Sequence, residues 1–282
     1  MDLAILADTP PWEWPEDARE TLLASLRDRT ADPATRVTAA ELASETVVMD
    51  DDLAEQMLTV LRDTTEPADL RARVAISLGP VIEETDMEGF DTDGISDPPI
   101  AESTFDDIRE TLRRLHIDEQ EPKEVRRRIL EASVRSPQDW HRDAVRAAWS
   151  TDDHDWKMTA VFCMGYVPGF ESQILTALEN GDAELEFEAV RAAGARDVDA
   201  AWPHIAALIQ APKTDRDLLL AAIEAAGSIR PEEAGKLVVD LVDSDDEAIA
   251  EAAGDVIMLA ETDLDEIEED DEDDEEDEEE KD

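Results

Sequence analysis

The chain has 282 residues, 42% of them hydrophobic and 36% charged, with a formal net charge of −51 at pH 7. So large a negative charge disfavours nucleic acid as a partner, because backbone recognition needs a cationic footprint. No window approaches the roughly 18 consecutive apolar residues of a membrane span, and a single cysteine, Cys163, leaves no intrachain disulfide to form.

The N-terminus, MDLAILADTPPWEWPED, has no basic stretch and a short apolar one, so it does not read as a signal peptide. Residues 1–14 are taken as an N-terminal extension in a cytoplasmic chain, with Trp12 and Trp14 expected to cap the first helices or, less favoured, to form an exposed docking motif. From Pro15 onward, caps and prolines predict helices in pairs. The first pair spans 15–27 and 33–48, the second 51–63 and 67–84. Pro33 and Pro67 fit a first helical turn, where the missing N–H has no partner to lose. The segment 85–102 is rich in Gly, Pro and Asp and reads as an inserted loop. Five further pairs follow at 103–115 with 122–135, 137–149 with 153–166, 170–179 with 182–195, 202–210 with 215–227, and 231–242 with 245–261. Phe105, Ile108, Leu112 and Leu115 trace the stripe of a helix with one buried face. Cys163 lies in the apolar run AVFCMGY and reads as a small core hydrophobe.

A small residue recurs near the end of successive second helices, at Gly79, Ser133, Gly165, Gly194, Gly227 and Gly254, with separations of 54, 32, 29, 33 and 27 residues. All but the first interval suit helical-hairpin repeats, and the long one absorbs the 85–102 insertion. The expected fold is therefore all-α: an α-solenoid of about seven helical hairpins, with repeats 1–2 over 15–84 and repeats 3–7 over 103–261. The tail 262–282 holds 17 acids and one lysine and is expected to be disordered. The folded part is acidic as well, and 20 of the 25 cations are Arg. That balance points to a salt-accumulating halophile, an archaeon, whose cytoplasm screens the self-repulsion.

The second helices ARVAISLG, FEAVRAAG and LAAIEAAG resemble HEAT-like repeats of the phycobilisome-lyase type. Stretches such as RRRILEASVRSPQDWHRDA and AAWPHIAALI are similar to haloarchaeal and bacterial HEAT-repeat proteins of unassigned activity. The resemblance covers about 15–261 and implies scaffolding, partner binding and complex assembly. Two enzymatic families share this kind of repeat. HEAT-repeat deoxyhypusine hydroxylase holds two irons through His-Glu pairs, whereas the four histidines here precede Ile117, Arg142, Asp155 and Ile205. A bilin lyase would need a pigment partner, and Cys163 gives it no support. The chain is accordingly expected to be a non-enzymatic scaffold without a cofactor. The alternative is an accessory factor, of the lyase-like HEAT type, for a cofactor-bearing enzyme.

One basic island breaks the acidic background. Between 109 and 146 ten cations face eight acids. Arg109 with Arg113, and Arg142 with Arg146, share helix faces at i, i+4. With Arg126, Arg127, Arg128, Arg135, His141, Trp140 and Trp149 they form the candidate partner-binding set, since Arg beside Trp suits a phosphate, carboxylate or acidic peptide. The competing reading pairs Glu124 with Arg128 and Arg127 with Glu131 along one helix, or buries the arginines between repeats. His141, His154 and Asp155 lack metal-ligand spacing. Asp91, Asp93, Asp97 and Glu102 approach a calcium loop, but Ser96 stands where that loop needs glycine.

Overall fold

The computed structural model describes residues 3–90 and 97–261, and every regular element among them is helical. The chain divides into two compact units, Met1–Ala147 and Ala148–Asp282.

The first unit contains α1 (Leu3–Ala7), α2 (Ala18–Arg27), α3 (Pro33–Leu42), α4 (Asp51–Arg62), α5 (Ala68–Ser77), α6 (Gly79–Glu88), α7 (Glu102–Ile117), α8 (Lys123–Ser133) and most of α9 (Asp139–Trp149). Their starts are set locally: Pro33 opens α3, and the Asp50 carboxylate accepts the Leu53 N–H at 2.9 Å ahead of α4. Helices pair as α2 with α3, α4 with α5 and α7 with α8. The second members α3, α5 and α8 then pack side by side, as do the first members α2, α4 and α7. Leu22, Leu26, Leu53, Leu58, Ile108 and Ile129 are among the side chains buried between the two rows.

Two features depart from the expected pattern. The helix predicted over 67–84 is broken at Leu78, where Pro80 supplies no N–H to continue the ladder and α6 sets off anew. That new helix runs on to Glu88, so the start of the expected loop is helical. It stops at Gly89, whose φ of 71° suits a residue without Cβ. The extension is also more than a leader: Leu3 and Leu6 of α1 are buried, and the Trp14 indole N–H donates to the carbonyls of Leu6 and Thr9 at 3.0 and 2.8 Å. Trp12 remains 80% exposed. The calcium-loop residues Asp91, Asp93 and Ser96 and the acidic tail 262–282 lie outside the described residues.

A buried ionic ladder ties successive pairs together. Arg36 donates to the Leu26 carbonyl at 2.8 Å and holds Glu66 through two bonds of 2.5 and 3.0 Å. Thirty-five residues on, Arg71 donates to the Leu61 carbonyl at 2.9 Å and meets Glu121 at 2.7 Å. Arg126 repeats the first half, donating to the His116 carbonyl at 2.8 Å. Each arginine thus satisfies an orphan carbonyl at the end of its own first helix. Arg36 and Arg71 also reach a glutamate of the next turn, the one preceding Pro67 or Pro122.

The second unit contains α10 (His154–Met164), α11 (Glu171–Leu178), α12 (Ala183–Ala195), α13 (Trp202–Gln210), α14 (Arg216–Ile229), α15 (Pro231–Val238) and a helix over 247–261, here α16. Asp153, Asp182 and Asp215 cap α10, α12 and α14 by accepting backbone N–H groups. Helix α10 packs on α12, and α12 on α14, and here the recurring glycines matter. A Cβ on Gly194 would lie 2.8 Å from Ala225 Cα, and one on Gly227 would lie 2.8 Å from a Val256 methyl. Gly165 is looser, with Ala192 Cα at 3.6 Å, and Gly254 meets nothing within 4 Å. The glycine repeat is thus a close-approach device at some positions and not at others. The helix expected over 231–242 ends at Val238 and continues as a 3-10 turn to Asp243. Among the described residues no helix is long and apolar enough to cross a membrane.

Candidate functional site

Helices α7, α8 and α9 carry the candidate residues, and the structure sorts them into three groups. Arg126, Arg127 and Arg128 are largely consumed by α8 itself. Arg127 meets Glu124 at 2.8 Å and Glu131 at 3.8 Å, while Arg128 meets Glu124 at 2.9 Å and Glu131 at 2.7 Å. Arg127 is buried, and Arg126 is occupied by the His116 carbonyl. Arg135 ion-pairs with Glu83 of α6 and fills the space beside Gly79. These four belong to the packing of the fold, as in the pairing alternative read from the sequence.

The second group is an aromatic and histidine floor. Trp140 and His141, at the start of α9, lie 3.9 Å apart between ring centres, and Trp140 lies 5.3 Å from His116 at the end of α7. His141 is fully buried. Its Nδ1 accepts the Gln138 backbone N–H at 2.8 Å. The neutral ring therefore carries its proton on Nε2, which donates to Ser133 Oγ at 3.0 Å; that hydroxyl donates to the Leu130 carbonyl at 3.2 Å. Ser133 occupies the position glycine takes in other repeats, and its hydroxyl seats the imidazole. Nδ1–H of His116 donates to the Arg126 carbonyl at 3.2 Å. Burial pushes the His141 imidazolium down to about 3, helped by the nearby charges of His116 and Arg109. Burial likewise pushes His116 down to about 4, opposed by its bond to the Arg126 carbonyl. Both rings are neutral near pH 7.

The third group is the rim. The Arg109 guanidinium lies 5.0 Å from the Phe105 ring centre, and Phe105 in turn packs on Phe90 at 5.6 Å. Arg109, Arg113 and His116 follow i, i+4, i+7 and share one face of α7. Arg113 is exposed, as are Arg142 and Arg146 on α9, where Arg146 pairs with Asp143 at 2.6 Å. Trp149, half-buried, ends α9 at the start of the second unit. The structure thus brings together Arg109, Trp140, His141 and, by helix register, Arg113. Phe105, His116 and Ser133 were missing from the sequence set, although the i+4 step from Phe105 to Arg109 and the i+7 step from Arg109 to His116 were there to be read.

In the second unit, His154 pairs with Asp182 at 2.8 Å rather than with its neighbour Asp155. With Glu184 it makes a group of three donor atoms within 4.8 Å that could hold a metal ion. The Asp182 carboxyl is held below its usual range, first by the Leu185 N–H and then by His154, offset in part by burial. Helix capping and a surface His–Asp bond account for this arrangement.

No family model and no curated protein matches the chain. Among solved structures, human deoxyhypusine hydroxylase in complex with glycerol is similar over 89% of this chain and 87% of its own, with 16% identity and a TM-score of 0.40. The YibA protein of Escherichia coli is similar over 86% and 87%, with 12% identity and a TM-score of 0.46. Both are HEAT-like all-helical proteins, and likeness of this order assigns neither activity nor ligand. It does correct one expectation. The expectation of a non-enzymatic chain does not stand, because one of these helical neighbours is an enzyme.

Proposed function

We propose that this chain is a protein-binding scaffold, a HEAT-like α-solenoid of about seven helical hairpins that organises a protein complex in a salt-adapted cytoplasm. The observation that carries the reading is the regular packing of second helix on second helix in each unit, closed by small residues and tied in the first unit by the Arg36 and Arg71 ladder. Such stacking buries one side of each helix pair and leaves a repeated outer surface, the usual means by which these arrays bind partners. The partner contact is assigned to the α7 and α9 rim, where Arg113, Arg142 and Arg146 are exposed on the helices that carry His116 and Trp140, in a chain of strongly negative net charge. The 76 acidic side chains suit a solution of high ionic strength, where their mutual repulsion is screened within a few Å.

Affinity purification of the full chain in multimolar KCl tests the proposal. A reproducible multiprotein assembly is expected, and Arg142→Glu with Arg146→Glu should deplete it. Recovery of the chain alone, or of a single cofactor-bearing enzyme, would argue against scaffolding.

A further inference from the structure

The scaffold reading leaves the chemistry of the partner open, and the α7 rim narrows it. Most arginines of this chain already hold a carboxylate: Arg29 binds Asp63, Arg36 binds Glu66, Arg62 binds Asp107, Arg71 binds Glu121 and Arg216 binds Asp246. Arg113 does not. It is exposed and has no hydrogen-bond or ion-pair partner among the described residues, although the chain contains 76 acids. Arg109, one turn earlier on the same face, is turned over the Phe105 ring and likewise has no carboxylate partner among the described residues. Next on that face of α7 is the neutral His116, whose ring lies 5.3 Å from the half-buried Trp140, itself 3.9 Å from the buried His141 ring.

Resting on the scaffold reading, we propose that Arg109 and Arg113 dock an extended acidic segment of the protein partner, carboxylates on the guanidinium forks and backbone or aliphatic groups against Trp140. The spacing supports this occupant. Side chains one helical turn apart are about 5–6 Å apart at Cβ. In an extended chain, alternate side chains emerge on one side at intervals of about 6.6 Å. Acids at every second position of the segment therefore meet both arginines at once, each able to form a forked, charge-assisted pair. A nucleic acid finds too few free cations here for its backbone charge. The net charge of −51 disfavours an acidic segment on most of the chain, so the stripe also sets where it lands.

The test uses the full-length protein at the lowest KCl concentration that keeps it folded. The probe is a fluorescein-labelled peptide of four Glu-Ala repeats, followed by anisotropy, with a Lys-Ala peptide and inorganic phosphate as comparisons. Wild type should bind the acidic peptide and not the basic one. Arg109→Gln with Arg113→Gln should weaken binding by about tenfold or more. Arg191→Gln, on an exposed arginine of the second unit, should leave it unchanged. Equal binding by wild type and the double variant overturns the inference. Complete competition by phosphate at the peptide's own concentration does so too, because the site would then hold a free anion. The same double variant in native purification separates the two readings. If it retains the wild-type assembly, the acidic-segment inference fails and the scaffold stands. If wild type itself recovers no assembly, the scaffold reading fails.

Discussion

Gly194→Ala and Gly254→Ala add the same methyl group to two helices of the second unit, with opposite expected effects. Both exchanges remove backbone freedom from the unfolded chain and gain helix propensity, together about 1 kcal/mol in favour of folding. At Gly254 nothing lies within 4 Å of the new Cβ, so that gain should appear nearly whole. At Gly194 the Cβ would sit 2.8 Å from Ala225 Cα and 2.9 Å from its Cβ, where ordinary contact begins at 3.4 Å. Those atoms belong to α14 and its backbone, so no side chain can swing aside; α12 and α14 must separate by several tenths of an ångström. Overpacking of this kind costs about 1–3 kcal/mol, which leaves Gly194→Ala net destabilised by up to about 2 kcal/mol after the propensity gain is counted. The difference between the two variants, about 1–3 kcal/mol, is the informative quantity, because their shared unfolded-state term cancels and the overpacking cost remains. Urea unfolding followed by circular dichroism in constant high KCl measures it. Equal shifts for the two variants would refute the close-approach role of Gly194.

Three further outcomes are expected. Arg36→Ala leaves Glu66 buried beside only the more distant Arg29, and should destabilise by about 3 kcal/mol; Arg36→Met with Glu66→Leu should recover most of that, and a double variant as unstable as the single one counts against the ladder. His141 stays neutral in the fold down to about pH 3 but takes up a proton near pH 6.5 when unfolded, so its contribution is complete above pH 6.5 and declines as the pH falls toward 3. Denaturation midpoints for wild type and His141→Gln should therefore converge between pH 7 and 5, by on the order of 2 kcal/mol; parallel pH profiles would mean that His141 is not held neutral. Finally, the melting temperature should rise steadily with KCl, since added salt screens a net charge of −51; an unchanged melting temperature from low to multimolar KCl would remove the case for salt adaptation.

Helix positions were legible because their signals are local. The expected 202–210 helix is found as Trp202–Gln210, and Asp153 and Asp182 cap the helices they precede. The same local reading covered the Glu124–Arg128 and Arg127–Glu131 pairs, which need only helical periodicity. It missed the break at Leu78 because the apolar period runs through it, although Pro80 marked the place. It also passed over α1, whose five residues are too short to hold a helix without the core that buries Leu3 and Leu6.

By itself, then, the sequence determined the helical class, the place of most helices and the charge, all properties of short segments or of composition. Only the tertiary structure decided which small residues touch another backbone: Gly194 does and Gly254 does not, though both stand in Ala-rich helical text. It alone decided which cations are free. Arg71 is taken by Glu121, fifty residues away in sequence, while Arg113 finds no carboxylate at all among the described residues. The physical reason is the range of the forces. Capping and propensity act within a turn or two, whereas burial and ion pairing depend on residues that only folding brings within a few ångströms.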